Sequence, residues 1–484
     1  MILRPVAAIA VALVALAWRA TLAPLGDHPQ SLPEVTAAAV AELVDPLVEQ
    51  ALVRDKIPGA GFVFVRDGKV VYARGYGVAE IDSARKVSPD TTIWRVGSIS
   101  KVFTATAVMQ LVDRRLVELD APITQYIKRV SIPAAFGEPV TVRQLLSHTA
   151  GFDEIRPGTQ AATQAEVLSL SAFLEGRLVR VRPPGRTTAY STYGITLAGE
   201  LVEEVAKTPF ETYLRQNIWE PLGMRRSSIT VPTAMQSDVA VGYEIKGETF
   251  VSQPWEWYHT TPASSVNASV TDMARFLVAH LERGQLGNAR LFSPQAAAEM
   301  QRQQATMHPS MPGFAIGFYE DFVGLQRVIE HGGNMAGFSA LMVLVPDART
   351  GFFIVNQRED STLRDAVKFA VLEKFFPLAR QRRPVPSLPS PETVRAEQFA
   401  GRYVPLSSCF SCQPLRAPSV MTVVANGDGT LSFASGRWIA VNDGELRFVH
   451  EKGSGYVVFR RDAAGAIREL FAGAFWGWQK LPGK

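Results

Sequence analysis

Ser98-Ile99-Ser100-Lys101, followed by Val102-Phe103-Thr104-Ala105-Thr106-Ala107-Val108-Met109, is the stretch whose reading decides the fold of this chain. The apolar positions Val102, Phe103, Val108, Met109, Leu111 and Val112 recur at helical spacing, so the tetrapeptide opens a helix. A serine three residues before a lysine puts both side chains on one helix face about one turn apart, within mutual reach. The lysine can then take the serine's proton, and the helix start favours a developing oxyanion. Spacing alone is weak evidence, because Ser83-Ala84-Arg85-Lys86 repeats it in a polar stretch that no apolar face follows.

Two further segments strengthen the first. Tyr190-Ser191-Thr192 follows Pro183-Pro184-Gly185 and precedes a second helical pattern, Ile195, Leu197, Ala198, Leu201, Val202 and Val205, which places Tyr190 on a loop entering a helix. His331-Gly332-Gly333-Asn334 lies between two β-rich runs, 326–330 and 338–345, where glycines at a strand end let a substrate approach the backbone. Serine with lysine, then tyrosine, then a basic residue with glycines is the order found in penicillin-recognising serine hydrolases. The chain resembles the β-lactamase-related serine hydrolase superfamily of class C β-lactamases, DD-peptidases and class VIII-type carboxylesterases. The resemblance covers roughly residues 33–378 and extends to Leu145-Leu146-Ser147-His148-Thr149-Ala150-Gly151, Pro221-Leu222-Gly223-Met224 and Asp272-Met273-Ala274-Arg275-Phe276. It implies an α+β fold: one antiparallel sheet flanked by helices, a helical subdomain, and an active site between the two.

The resemblance assigns Ser98 as nucleophile with Lys101 and Tyr190 as its proton partners, and the residues leave open which of the two is the base. An oxyanion hole would be formed by the backbone N–H groups of Ser98 and Asn334 beside Gly333, with Thr192 and His331 facing the substrate. Two departures bear on specificity. β-Lactamases carry asparagine where Thr192 stands, to hold a substrate amide, and lysine where His331 stands, to hold a carboxylate. An unperturbed histidine is mostly neutral at pH 7. The expectation is therefore an acyl-transfer hydrolase of esters or small, including D-amino-acid, peptides and amides. The rivals are a β-lactamase or DD-peptidase, and, from another class, a cell-wall or antibiotic sensor that acylates without turning over. His148 reads as a structural histidine. No Gly-x-Ser-x-Gly elbow and no His-Glu-x-x-His pair occurs.

Composition agrees with a large folded protein. The 484 residues are 47% hydrophobic, ample for a core, and the length suggests about two to four domains. A net charge of +4 without a basic run gives no footprint for nucleic acid, so the expected partner is a small-molecule substrate, with no cofactor and no metal. The apolar run from Val6 to Trp18 after Arg4 reads as an export signal or N-terminal anchor over 1–23, which implies a periplasmic or extracellular protein. Membrane association is expected only through that segment. Cys409 and Cys412 are expected to form a local disulfide, in a loop remote in sequence from the three motifs.

Organisation changes late in the chain. The hydrolase part is expected over 33–378 and a Pro/Ser linker over 379–395. Over 396–484 short strands alternate with turn signals such as Asn426-Gly427-Asp428-Gly429 and Asn442-Asp443-Gly444. That pattern is expected to give a small all-β domain, a lipocalin-like barrel or meander, that folds separately and carries no chemistry.

Overall fold

The computed structural model of the protein describes residues 34–308, 311–381, 395–412, 420–441, 446–451, 455–474 and 476–482. The N-terminal segment, residues 382–394 of the linker and the Asn442-Asp443-Gly444 turn lie outside these residues.

A seven-stranded antiparallel sheet forms the centre. Its strands are β1 (Gly59–Arg66), β2 (Lys69–Glu80), β3 (Arg85–Lys86), β4 (Tyr319–Val323), β5 (Gln326–Met335), β6 (Phe338–Val345) and β7 (Thr350–Asn356), in the order β4-β5-β6-β7-β1-β2-β3. Strands from the two ends of this part of the chain thus meet, with β1 paired to β7 from Ala60 opposite Asn356 to Arg66 opposite Thr350. Both faces of the inner strands β1, β6 and β7 are covered, and these three consequently read as nearly unbroken apolar runs.

Alternation assigns each side chain to a face. On β1, Phe62 and Phe64 pack with Leu341, Val343, Phe352 and Ile354 under helices α1 (Ala37–Arg54) and α5 (Thr362–Phe375). Val63 and Val65 join Ala340, Met342, Phe353 and Val355 on the other face, against the helical part. That part holds α2 (Ser100–Asp113), α3 (Thr192–Ala206) and α4 (Val270–Leu281). Unlike the single stripe expected from sequence, α2 is buried on every side from Ser100 to Leu111. Two of its buried polar groups donate to neighbouring segments: the Thr104 hydroxyl to the Pro262 carbonyl at 2.6 Å and the Gln110 amide N–H to the Asn217 carbonyl at 2.8 Å. The sequence signatures act as braces. Asp272 accepts from the Arg226 N–H and the Ser227 hydroxyl, and Arg275 donates to the Leu222 carbonyl.

The C-terminal region is a closed eight-stranded antiparallel barrel: β8 (Gly401–Pro405), β9 (Met421–Ala425), β10 (Leu431–Phe433), β11 (Gly436–Ala440), β12 (Arg447–His450), β13 (Tyr456–Arg461), β14 (Ile467–Ala472) and β15 (Trp476–Lys480). The barrel has its own core around Phe399, Tyr403, Phe433, Phe448 and Phe459. It is not remote from the three motifs in space. Leu406, Val458 and Phe471 pack on Ala189 and Met311. The Arg460 guanidinium donates to the Arg186 carbonyl at 2.6 Å and to the Thr187 hydroxyl. The Cys409–Cys412 disulfide shapes a loop whose Phe410 and Ser411 N–H groups both donate to Asp153, at 2.9 and 2.7 Å. Sequence distance hid this docking, because it joins segments more than 250 residues apart.

Candidate active site

Ser98 does not lie in the α-helix itself, as the periodicity suggested, but in a tight 3-10 turn, Gly97–Ile99, that leads into α2. Gly97 makes the turn feasible: its φ is +55°, in the left-handed region that disfavours side chains. Ser100 clamps it, donating from its fully buried hydroxyl to the Gly97 carbonyl at 2.6 Å and accepting from the Val266 N–H at 2.9 Å. The two serines of the tetrapeptide are thereby separated, one structural and one directed at Lys101. Lys101 Nζ lies 3.1 Å from Ser98 Oγ and 2.8 Å from the Ala263 carbonyl oxygen. Ser83, in the competing tetrapeptide, is on an exposed turn and donates to Glu80.

Lys101 is only 1% exposed, and burial pushes its ammonium down to about 7, opposed by the charge of Glu154. Tyr190 arrives on the loop before α3, and its ring centroid lies 4.8 Å from Lys101 Nζ. Burial raises its phenol, while a hydrogen bond with Ser98 works against that rise. Ser191 caps α3 by accepting the Gly194 N–H at 3.0 Å. His148 fixes the approach to α3: its φ of +56° turns the chain, its Nδ1 accepts the Ser191 N–H at 3.1 Å, and its ring packs 4.5 Å from that of Tyr190. Burial, then the nearby Lys101, holds this imidazole neutral. The structural assignment of His148 from sequence agrees with these contacts.

The third motif is inside a strand rather than at its end, since β5 continues to Met335. Alternation then sends Glu330 to the α5 side, where it pairs with Lys368 at 2.7 Å, and His331 to the opposite side. His331 stands 6.1 Å from the Tyr190 ring and 5.3 Å from that of Tyr319. Burial and then Lys101 lower it to about 3, so it is a neutral ring, and its buried Nε2 has no hydrogen-bond partner among the described residues. The Asn334 side chain is turned away, with its Oδ1 accepting from Ser339 at 3.1 Å and Arg364 at 2.8 Å. Tyr319 accepts the Gly332 N–H at 2.9 Å.

Glycine on both sides lets the Ser98 turn touch this strand. A Cβ on Gly97 would come 3.0 Å from the Asn334 nitrogen, and one on Gly333 would come 2.0 Å from the Val96 oxygen and 3.0 Å from the Ser98 nitrogen. The backbone nitrogens of Ser98 and Asn334 are thus held in one small region, as an oxyanion hole requires. Gly333→Ala is expected to push the turn away, lowering kcat/KM by about 10²-fold or more and the melting temperature with it, because the added Cβ meets backbone that cannot rotate aside. Ester kinetics beside a thermal melt check this, and unchanged kinetics would remove Gly333 from the site.

Thr192 lies in the first turn of α3, and its N–H donates to the carboxylate of Glu154, 2.9 Å from Oε2 and 3.1 Å from Oε1. The motifs do not announce Glu154, Tyr319 or Arg364. The only signal for Glu154 is the acidic pair Asp153-Glu154 following the Leu145–Gly151 segment. No group of three or more His, Cys, Asp or Glu side chains among the described residues is arranged to hold a metal ion.

A family model described as Beta-lactamase matches residues 40–374. The chain is 24% identical over 317 residues to Protein flp of Staphylococcus aureus strain N315, covering 64% of this chain and 62% of that protein. It therefore spans about 62% of the length of the flp relatives it matches. A β-lactamase of Yersinia enterocolitica is 24% identical over 372 residues, 70% of this chain and 92% of that enzyme. Among solved structures, SurE aligns with a TM-score of 0.65 at 22% identity over 92% of this chain and 99% of SurE. The octameric penicillin-binding protein homologue from Pyrococcus abyssi aligns at 0.59 and 22%, over 90% of this chain and 99% of that one. The last two show the shared fold.

Proposed function

The chain belongs to the β-lactamase family, and from that premise we propose that it is a serine hydrolase acting on esters or small peptides and amides through a Ser98 acyl-enzyme. The observation that carries this reading is Lys101 Nζ, nearly devoid of solvent and 3.1 Å from Ser98 Oγ, with its pKa brought near neutrality. Tyr190, whose phenol is pushed upward, stays protonated at pH 7, which favours Lys101 as the base. In the proposed acylation the Ser98 proton passes to Lys101 as Oγ attacks the carbonyl carbon. The oxyanion forms at the Ser98 and Asn334 N–H groups, and Tyr190 hands its proton to the leaving group and regains one from Lys101. Water then repeats the sequence on the acyl-enzyme. A fluorophosphonate label on Ser98, together with ester turnover, tests the reading, and labelling without turnover would indicate a sensor.

The neutral state of His331 supports the ester or peptide preference over β-lactams, because a ring held near pKa 3 offers no charge to a substrate carboxylate. Thr192 likewise supplies only a short hydroxyl where an amide would be needed. A lost neutral hydrogen bond costs about 0.5–1.5 kcal/mol and a lost charge-assisted one about 1.5–3. Thr192→Asn with His331→Lys is therefore expected to raise nitrocefin turnover relative to p-nitrophenyl acetate by roughly 30- to 10³-fold. Wild-type protein that already cleaves nitrocefin as efficiently as simple esters would make it a β-lactamase instead. SurE has been solved with D-Leu, so D-configured acyl groups belong in the proposed substrate class. The disulfide supports export to an oxidising compartment, the proposed location.

A further inference from the structure

Tyr190 comes to Ser98 on a stretch with little structure of its own. From Val181 to Ser191 the chain forms neither helix nor strand. Backbone bonds from the Gly185 N–H to the Thr149 carbonyl and from the Ala189 N–H to the His148 carbonyl, each 2.8 Å, tie it to the hydrolase part. Between those two points the barrel takes hold. Arg460, on β13, donates from Nη1 to the Arg186 carbonyl at 2.6 Å, from Nη2 to the Thr187 hydroxyl, and from Nε to Glu469 at 2.6 Å. Thr187 in turn donates to Glu469 at 3.3 Å, and Ala189, one residue before Tyr190, packs on Leu406, Val458 and Phe471. A planar guanidinium held at three edges fixes direction as well as distance. Glu469 offsets its charge, so Arg460 acts on the loop by placing it rather than by its field. Beyond Tyr190 the barrel reaches the same motif through a relay: Glu154 accepts from the N–H and the side chain of Thr192, and the adjacent Asp153 accepts from Phe410 and Ser411 of the disulfide loop. Ser98 and Lys101, by contrast, are held by Ser100, Ala263 and the approach of Gly333, all within the hydrolase part.

Resting on the hydrolase reading above, we infer that Arg460 of the barrel is a positioning residue for Tyr190, so that the C-terminal domain decides how well the enzyme expels a strongly basic leaving group. Cleavage of an alkyl ester or an amide needs a proton on the departing oxygen or nitrogen as its bond to the carbonyl carbon breaks, and Tyr190 delivers it. A p-nitrophenolate departs as a stable anion and needs no such proton. Alkyl esters and amides are therefore the substrates that depend on the docked barrel, and aryl esters are the ones that do not. The barrel itself contributes no reacting group.

The test compares kcat/KM, which reports acylation, for ethyl acetate and p-nitrophenyl acetate in the full chain, with fluorophosphonate labelling of Ser98 as the sign of an intact site. Arg460→Met is expected to lower the ethyl ester by about 10- to 10²-fold, the cost of a proton donor displaced by about 1 Å. The aryl ester should fall by less than about 3-fold and labelling should be unchanged. Arg460→Lys should recover part of the loss. Thr187→Ala removes the hydroxyl shared by Arg460 and Glu469 without altering the barrel, and should move the ratio of the two esters in the same direction. It decides alone if Arg460→Met loses its label. In Tyr190→Phe the ratio should fall by itself, and adding Arg460→Met should lower it no further. Equal losses on both esters would overturn the inference and leave the hydrolase reading intact. So would an Arg460→Met effect undiminished in Tyr190→Phe, or a ratio that neither Arg460→Met nor Thr187→Ala changes. If Tyr190→Phe leaves the ratio untouched, Tyr190 is not the leaving-group acid and the inference falls with that step. If wild type takes no label and cleaves neither ester, the hydrolase reading itself fails.

Discussion

Ser98→Ala is expected to abolish fluorophosphonate labelling and to lower ester turnover by about 10⁴- to 10⁶-fold, the range seen when a serine hydrolase loses its nucleophile. Intact mass should show one adduct in wild type and none in the variant. The fold should be indifferent to the change, because Ser100 and Gly97, not the Ser98 hydroxyl, hold the turn. Two controls sharpen the result. Ser83→Ala should label normally, as its hydroxyl does no more than cap an exposed turn through Glu80. Ser100→Ala should lose stability, by about 1–3 kcal/mol, through the unpaired Val266 N–H it leaves behind. Label retained in Ser98→Ala, or mapped to Ser83, would dismantle the assignment of the site.

How much of this was legible beforehand differs by level. The strand Phe338–Val345 could be read to the residue, because a strand covered on both faces leaves an unbroken apolar run. Ser98, Lys101 and Tyr190 could be picked out because their chemistry is local: a three-residue spacing, and a loop after Pro183-Pro184-Gly185. The 3-10 turn at Ser98 could not, since it depends on the strand opposite Gly97 rather than on periodicity. Glu154, Tyr319 and Arg364 come to the site through tertiary contacts across 38, 13 and 30 residues, which no short-range pattern encodes. In the barrel, the alternation of short strands with turns followed from the turn signals, while the pairing of Gly401–Pro405 with Trp476–Lys480 did not. Those two pair with each other to close the cylinder, so their reason for being strands lies at the far end of the domain.

Lys101 and Tyr190 should behave as one device. Removing either is expected to lower kcat/KM by the roughly 10²- to 10⁴-fold usual for general acid–base catalysis, and the double variant should be little worse than the singles. The reason is geometric: Lys101 Nζ touches Ser98 Oγ and lies under the Tyr190 ring, and Tyr190 is hydrogen-bonded to Ser98, so each group works on a proton the other has to accept or return. Losses that multiply would make the roles independent. The pH profile supplies the sign. Burial lowers Lys101 to about 7, so the neutral amine gains population as pH rises through that value, while the phenol stays protonated well above it. Acylation should therefore climb through about pH 7 and level off on the alkaline side, and in Lys101→Ala that inflection should disappear from what activity remains. A profile that falls through pH 7 would require the ammonium form to be the active one, and Lys101 would then be a source of charge for the substrate rather than the base for Ser98.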